Sequence, residues 1–274
     1  GRLLDLVNNN EINLSRIEVV VLDEADRMFD MGFLPDVRRI IAKLPARRQT
    51  LLFSATMPAD IRKLTREILE NPVNISVGDS APVSTISHSV YPVEQHLKTP
   101  LLMRLLEGTD TKSVLIFTRT KHRATRLANQ IGRAGYAAAS LQGDLPQTKR
   151  QAVLSGYRTG KYRILVATDI AARGIDISTI SHVINYDMPD TVDAYTHRIG
   201  RTGRAERSGD ALSFMTRSER SFIWDVEKVL GKPIRKETLA DFNYNAPPPV
   251  AAEGSNAGRR GQSDARPVQG RRNH

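Results

Sequence analysis

Cysteine is absent from this 274-residue chain, so neither a disulfide nor a thiolate metal site can be built, which suits a reducing compartment such as the cytoplasm. Long apolar runs are absent too, and none approaches the ~18 residues that a membrane-spanning helix requires. Aromatic residues are scarce, at 5%, with a single tryptophan. Trp224 and the phenylalanines fall on apolar faces of predicted helices and strands, which places them in the core rather than on base-stacking platforms. Gly1 stands where an initiator methionine would, so no N-terminal targeting signal is sought. What the chain does have is basic charge: 40 Lys and Arg against 30 Asp and Glu, a net +10. Residues 1–78 hold 11 basic and 11 acidic groups, residues 79–245 hold 24 and 17, and residues 246–274 hold 5 and 2. The excess lies in the second part and points to a polyanionic partner there, against the plainer reading of a basic globular surface.

The length suits one large domain or two of ordinary size. Short apolar runs alternate with helical patterns almost throughout. The stretches 17–23, 49–55 and 73–77 read as strands, and 34–44 and 57–69 as helices. Val19 to Leu22 reads as a strand buried on both faces. A small, polar segment at 78–87 reads as a linker, after which the alternation restarts. Strands are expected at 112–118, 163–168, 181–187 and 211–216, and helices at 97–107, 119–134, 147–158, 191–199 and 218–230. Such alternation predicts an α/β fold, parallel sheets with helices on both faces. Residues 1–77 supply only about three strands, too few to cover a parallel sheet, and read as the back part of a first domain. Residues 88–245 then form a complete second domain, and 246–274 a disordered basic tail.

In open parallel sheets, ligands gather beyond the carboxyl ends of the strands. "DEAD" (23–26), "SAT" (54–56) and "ATD" (167–169) all follow apolar runs there. Asp23 and Glu24 suit a metal-and-water role at a strand end, although an acidic strand end also serves as a helix cap or solvated turn. "HRIGRTGR" (197–204) is more specific. Its Arg198, Arg201 and Arg204 recur every third residue, with glycines that permit close approach, and guanidinium forks pair bidentately with phosphate. In "ARGID" (172–176), Asp176 suits ribose hydroxyls or, equally, a loop cap.

In this order the motifs closely resemble those of the DEAD-box RNA helicases, superfamily 2 enzymes with two RecA-like domains. The likeness runs from residue 1 to about 245, through "GRLLDL", "LDEADRM", "SAT", "LIFTRTK" (115–121), "LQGDLPQTKR" (141–150), "LVATDIAARGIDI" (165–177), "VINYDMP" (183–189) and "YTHRIGRTGRAERSG" (195–209). The wording around "DMGF" and the basic tail is nearest to bacterial RhlE-type proteins. The resemblance implies ATP and Mg²⁺ as cofactors and RNA as partner, bound through its backbone with little sequence preference. It assigns Asp23 and Glu24 to Mg²⁺ and the attacking water, and Asp26, Ser54, Thr56 and His197 to coupling hydrolysis to domain closure. Asp176 would hold the ATP ribose, and Arg201 and Arg204 would act as arginine fingers on the γ-phosphate. Arg2, Thr118, Gly143, Arg150, Thr168 and Arg173 would contact RNA.

One part of that chemistry has no counterpart in these residues. A phosphate-binding loop needs G-x-x-x-x-G-K-[ST], and the only Gly–Lys pairs are Gly160–Lys161, followed by Tyr162, and Gly231–Lys232, followed by Pro233. The expectation is an N-terminally truncated piece of an ATP-dependent RNA helicase, inactive in hydrolysis by itself. The alternative is a non-catalytic RNA-binding fragment.

Overall fold

The computed structural model describes residues 1–30, 32–57, 59–76, 86–108, 112–172, 180–203 and 208–248. The chain divides into two compact units, Gly1–Gly78 and Asp79–His274. No helix among the described residues is long and apolar enough to cross a membrane.

The first unit runs α1 (Arg2–Asn8), β1 (Val19–Leu22), α2 (Ala25–Asp30), α3 (Leu34–Ile41), β2 (Gln49–Leu52) and α4 (Ala59–Ile68). β1 and β2 pair in parallel, with Val19 opposite Gln49 and Leu22 opposite Leu52. Leu4, Leu14, Ala25, Val37, Ile61 and Leu64 form its small core. The expectation that β1 is buried on both faces fails: Val19 is 51% and Val21 55% exposed, while Val20 and Leu22 are half-buried. Successive strand residues point to opposite faces, and within the described residues only one face of this pair is packed. The expected strand at 73–77 is also not found over 73–76, and Val77 lies outside the described residues. Val73 and Ile75 are exposed, because an apolar alternation without a neighbour to pair its amides makes no strand.

The second unit is built on β3 (Ile86–Pro92), β4 (Val114–Phe117), β5 (Ala138–Leu141), β6 (Ile164–Ala167), β7 (His182–Asn185), β8 (Gly209–Met215) and β9 (Arg235–Lys236). They form one parallel sheet in the order β5-β6-β4-β7-β8-β3-β9. Its helices are α5 (Lys98–Gly108), α6 (Lys121–Arg133), α7 (Gln147–Arg158), α8 (Asp169–Ala172), α9 (Val192–Ile199) and α10 (Arg220–Leu230). Side chains of α5 and α6 pack with Val114, Ile116, Tyr91 and Phe214 on one face of the sheet. On the other, Tyr157 of α7 and Ala171 of α8 pack with Leu115, Phe117 and Leu165. Tyr195 of α9 and Ile223 and Val226 of α10 pack there with Val90 and Ala211. The central strands β4 and β6 are buried along their whole length, which is why their uninterrupted apolar runs read as strands.

Three strands escaped the sequence reading. β3 carries His88 and two serines, β5 is built of small residues, and β9 has only two. β3 also starts at Ile86, inside the expected linker, whose residues 78–85 lie outside the described ones. After β9 the chain returns across β3: Ser89 Oγ and the Tyr91 hydroxyl donate to the Glu237 carboxylate at 3.0 and 2.8 Å. Ala246, placed by the sequence reading in the disordered tail, packs beside this core, and its carbonyl lies 2.8 Å from His96 Nε2. Residues 249–274 of that tail lie outside the described residues. Trp224 corrects the expectation of an aromatic core, being 59% exposed, as Phe33 and Phe53 also are at 46% and 54%.

His88 gives the second unit a pH dependence. It is buried and stacked on Tyr195 at 6.4 Å between ring centroids, and neither ring nitrogen has a hydrogen-bond partner among the described residues. Burial, then the nearby Lys232 charge, push its pKa down to about 4. The unfolded chain therefore binds this proton at higher pH than the folded one, so stability drops as pH falls from about 6.5 towards about 4. Urea unfolding at several pH values should show a smaller acid loss for His88→Phe, which keeps the stack and cannot titrate. Equal losses would remove His88 as a cause.

Candidate functional site

Each unit brings a cluster of the expected residues to the carboxyl ends of its strands. In the first, β1 ends at Leu22 and the chain turns at once. Glu24 takes φ +50°, a left-handed conformation that costs a non-glycine residue energy and recurs at functional turns. Its amide donates to Asp23 Oδ1 at 2.8 Å, and the Ala25 amide donates to the Phe53 carbonyl at 3.0 Å. Asp26 is thereby turned inward and is 6% exposed. Its Oδ2 accepts from the Thr56 amide at 2.8 Å and from Thr56 Oγ1 at 2.9 Å, while its own amide donates to Ser54 Oγ at 3.0 Å. Ser54 Oγ in turn donates to the Thr56 carbonyl at 2.7 Å. The loops after β1 and β2 are thus one hydrogen-bonded knot, with Asp26, Ser54 and Thr56 brought together. Asp23 is exposed and Glu24 half-buried, so both carboxylates remain near solvent. Two hard oxygen donors are what Mg²⁺ takes from a protein when water and phosphate complete its shell, so this pair fits that ion. Among the described residues no three His, Cys, Asp or Glu side chains gather as a metal cage.

In the second unit the central neighbours β6, β4 and β7 end side by side, and Arg198 ties them together. α9 begins at Thr191, whose hydroxyl accepts from the Ala194 amide at 3.2 Å, and buries Tyr195, Arg198 and Ile199 along one face. Arg198 grips both Asp169 oxygens at 2.7 Å, with Nε on Oδ1 and Nη2 on Oδ2. Its Nη1 donates to Asn185 Oδ1 at 3.2 Å and to the Asp187 carbonyl at 2.6 Å, and the guanidinium lies 4.9 Å from the Phe117 ring centroid. Asp187 accepts from the Arg119 amide at 2.9 Å and from Arg123 Nη1 at 2.6 Å. The sequence reading grouped Arg198 with the phosphate-facing arginines, yet it is 2% exposed and spent on holding the fold. The signal was available: Arg198 shares a helix face with the apolar Tyr195 and Ile199.

Past α9 the chain turns through Arg201, whose amide donates to the Arg198 carbonyl at 3.1 Å, and Gly203 at φ +68°. Thr202 is buried and its Oγ1 donates to the Ile180 carbonyl at 2.6 Å, clamping the turn to the chain before β7. Gly209, at the start of β8, packs so closely on this turn that a Cβ there would lie 2.5 Å from the Gly203 amide nitrogen and would overlap Thr202 Oγ1. It closes the 195–209 motif, although no role was expected of it. Arg201 and His197 are half-buried. Arg204, Asp176 and Arg173, assigned to the γ-phosphate, ribose and RNA, lie outside the described residues.

The other expected RNA residues are spread over several elements. Thr118, next after β4, is fully buried, with its hydroxyl 3.4 Å from the Thr120 carbonyl. Thr168 follows β6 and is half-buried. Gly143 is exposed after β5, with open space where a side chain would stand. Arg150 of α7 donates to the Ala171 carbonyl at 2.7 Å, and Arg2 is exposed at the start of α1. The carboxyl edge of the sheet thus brings Thr118 and Thr168 onto neighbouring strands, while Arg2 belongs to the other unit.

Comparison with known proteins gives two matching families. "DEAD/DEAH box helicase" matches residues 1–64, and "Helicase conserved C-terminal domain" matches residues 97–206. The "DEAD-box ATP-dependent RNA helicase CshA" of Bacillus subtilis is 42% identical over 83% of this chain and 46% of its own length. The "ATP-dependent RNA helicase DbpA" of the same organism is 44% identical over 86% of this chain and 50% of its own. The chain therefore spans about half the length of these curated relatives. Among solved structures, Saccharomyces cerevisiae Dbp5 bound to RNA and ADP–BeF3 superposes with a TM-score of 0.78 at 32% identity, over 86% of this chain and 63% of that one. Escherichia coli DEAD-box protein SrmB, bound to the regulator of ribonuclease activity A, gives 0.56 at 35% identity, over 61% of this chain and 98% of that one.

Proposed function

The chain belongs to the DEAD-box RNA helicases, and from that premise we propose that its units carry the water-activating and RNA-gripping parts of an ATP-dependent enzyme that opens short RNA duplexes or remodels RNA–protein assemblies. The observation that carries this reading is the Asp26–Ser54–Thr56 knot, because it links the acidic loop that would act on ATP to a second loop able to pass on its state. Glu24 orients the attacking water and accepts its proton, which sets the γ-phosphate free as inorganic phosphate and leaves ADP. Asp23 and Glu24 would hold Mg²⁺, which when bound would supply charge neutralisation at the phosphates. Arg201 and Arg204 supply positive charge to the transferring phosphoryl group, Asp176 holds the ribose, and His197 shares in the coupling. Arg198 is the positioning residue that sets the turn from which Arg201 projects.

RNA is held by its sugar–phosphate backbone through Arg2, Gly143, Arg150, Thr168 and Arg173, which accounts for a reading largely independent of base sequence; Thr118, fully buried, is withdrawn from that set. A strand gripped in this way and bent cannot remain in a duplex, so strand separation is local. Release of the γ-phosphate reopens the cleft between the two domains and loosens the grip, a two-state switch biased by that phosphate. We place the protein in the bacterial RhlE-type group and in the cytoplasm, on the wording of its motifs and its lack of cysteine.

The test is hydrolysis of ATP with and without single-stranded RNA, on this chain and on the same chain extended upstream to include a phosphate-binding loop. RNA-stimulated turnover is expected in the extended protein only. An extended protein that binds RNA without stimulated hydrolysis would leave a binding module instead. Equal stimulation by single-stranded DNA would redirect the assignment to a DNA helicase.

A further inference from the structure

The single tryptophan of this chain stands in solvent, between two cations on its own helix face. Trp224 is 59% exposed on α10, whose Ile223 and Val226 face the core. Residues four apart share a helix face, so Arg220, Trp224 and Lys228 form one stripe with a cation one turn to either side of the indole. Lys228 Nζ lies 3.3 Å from the ring centroid. Arg217, in the turn leading into α10, continues the stripe; its side chain is 85% exposed although Nε pairs with Glu94 Oε1 at 3.1 Å.

Two of the neighbouring acids are engaged elsewhere. Glu219 is tied into the cap of the turn, accepting from the Thr216 amide and hydroxyl at 2.8 Å. Glu227 accepts from the Ile234 amide at 2.8 Å. Asp225 is exposed and about 100° around the helix from Trp224, three residues before Lys228, so it borders the stripe at that end. Among the described residues no acidic partner is recorded for Arg220 or Lys228.

Two features connect the stripe to its surroundings. α10 starts just beyond Thr216, which follows β8 at the carboxyl edge of the sheet, so a strand held at that edge has a path onto this face. Tyr244 and Asn245 share a cleft of about 210 Å³ with Arg217 and Arg220.

We propose that the Arg217–Arg220–Trp224–Lys228 face of α10 is an auxiliary site for single-stranded RNA, with a base taking the place of the Lys228 ammonium on the Trp224 ring and phosphates paired with the freed Lys228 and with Arg220. A π face between cations is the combination that holds single strands without regard to sequence, and the indole gives up core burial to provide it. RNA as the polyanion rests on the proposed function, whereas the site itself is drawn from α10. It lies apart in sequence from the residues assigned RNA contacts above, so it would anchor a flanking strand rather than the bent one.

Because Trp224 is the single indole, its emission reports on this site alone. The full chain is titrated with a short oligouridylate while emission is followed, and with the same RNA, dye-labelled, by anisotropy. Emission is expected to be quenched along the anisotropy curve, and less by duplex than by single-stranded RNA. Trp224→Ala should weaken binding about tenfold and Trp224→Phe less, since every base can stack on either ring. Arg220→Ala and Lys228→Ala should each weaken binding and make it less salt-dependent. These side chains are exposed, so folding should be unchanged. Unchanged emission while anisotropy reports binding, or wild-type affinity in Trp224→Ala, would overturn the site and leave the RNA-helicase reading standing, with a protein as the alternative occupant of the face. No binding of RNA by anisotropy would overturn both.

Discussion

Replacing Arg198 by alanine is expected to cost the second unit about 3–5 kcal/mol, the range for removing one partner of a buried ion pair. The side chain is buried and makes four hydrogen bonds that join α9 to the ends of β6 and β7. Without it, the Asn185 amide oxygen and the Asp187 carbonyl sit in a region with little access to water, and Phe117 loses the cation packed on its ring. Asp169 is 31% exposed in its side chain and can partly hydrate, which favours the lower end of the range. Arg198→Lys should recover little, because an ammonium cannot grip both Asp169 oxygens and reach the Asp187 carbonyl with the same fork. Urea unfolding of the two variants and Asp169→Asn measures this. A loss below about 1 kcal/mol in Arg198→Ala would show that the network tolerates a water in place of the guanidinium.

That arginine marks a limit of what could be read from the sequence. The strands at the centre of the second sheet were legible because they are buried on both faces, and Val114–Phe117 and Ile164–Ala167 are apolar at every position. β3 was hidden because His88, Ser87 and Ser89 break its apolar run, and Ser89 finds its partner in Glu237, far along the chain. β5 was hidden because its small residues carry no strand preference of their own; pairing with β6 makes it a strand. Trp224 was misplaced because α10 carries apolar residues on more than one face, and only contact with β3 and β8 decides that Ile223 and Val226 turn inward. In the site, the acidic loop and its coupling partners could be named from the resemblance. The separation of Arg198 from Arg201 could not, because identical side chains three residues apart give no sign that one is buried on α9 while the other stands in the turn beyond its end.

Gly209 is the other position where the sequence assigned no role and the expected effect is large. A methyl group at its Cα would lie 2.5 Å from the Gly203 amide nitrogen and 2.8 Å from Thr202 Cγ2, and would overlap Thr202 Oγ1. Backbone cannot give way as a flexible side-chain end can. Gly209→Ala should therefore either shift β8 from its register with β7 or push the 202–203 turn outward. β8 is held by pairing on both sides, to β7 and β3, whereas the turn depends on the Thr202 hydroxyl, so the turn is the part that moves. A shift of about 1 Å in a charge-stabilising group can cost on the order of 100-fold in rate. In the proposed enzyme, Gly209→Ala should lower RNA-stimulated ATP hydrolysis by about that factor, because Arg201 rides on the turn. Stability should fall by only about 1–3 kcal/mol, the cost of overpacking. The double variant Gly209→Ala with Thr202→Ala separates the causes. It removes the clash with the hydroxyl and Cγ2 but leaves the one with the Gly203 amide, so hydrolysis should stay low. Recovery of the rate in the double variant would place the whole effect on Thr202 and would show that the backbone contact with Gly203 does not position the turn.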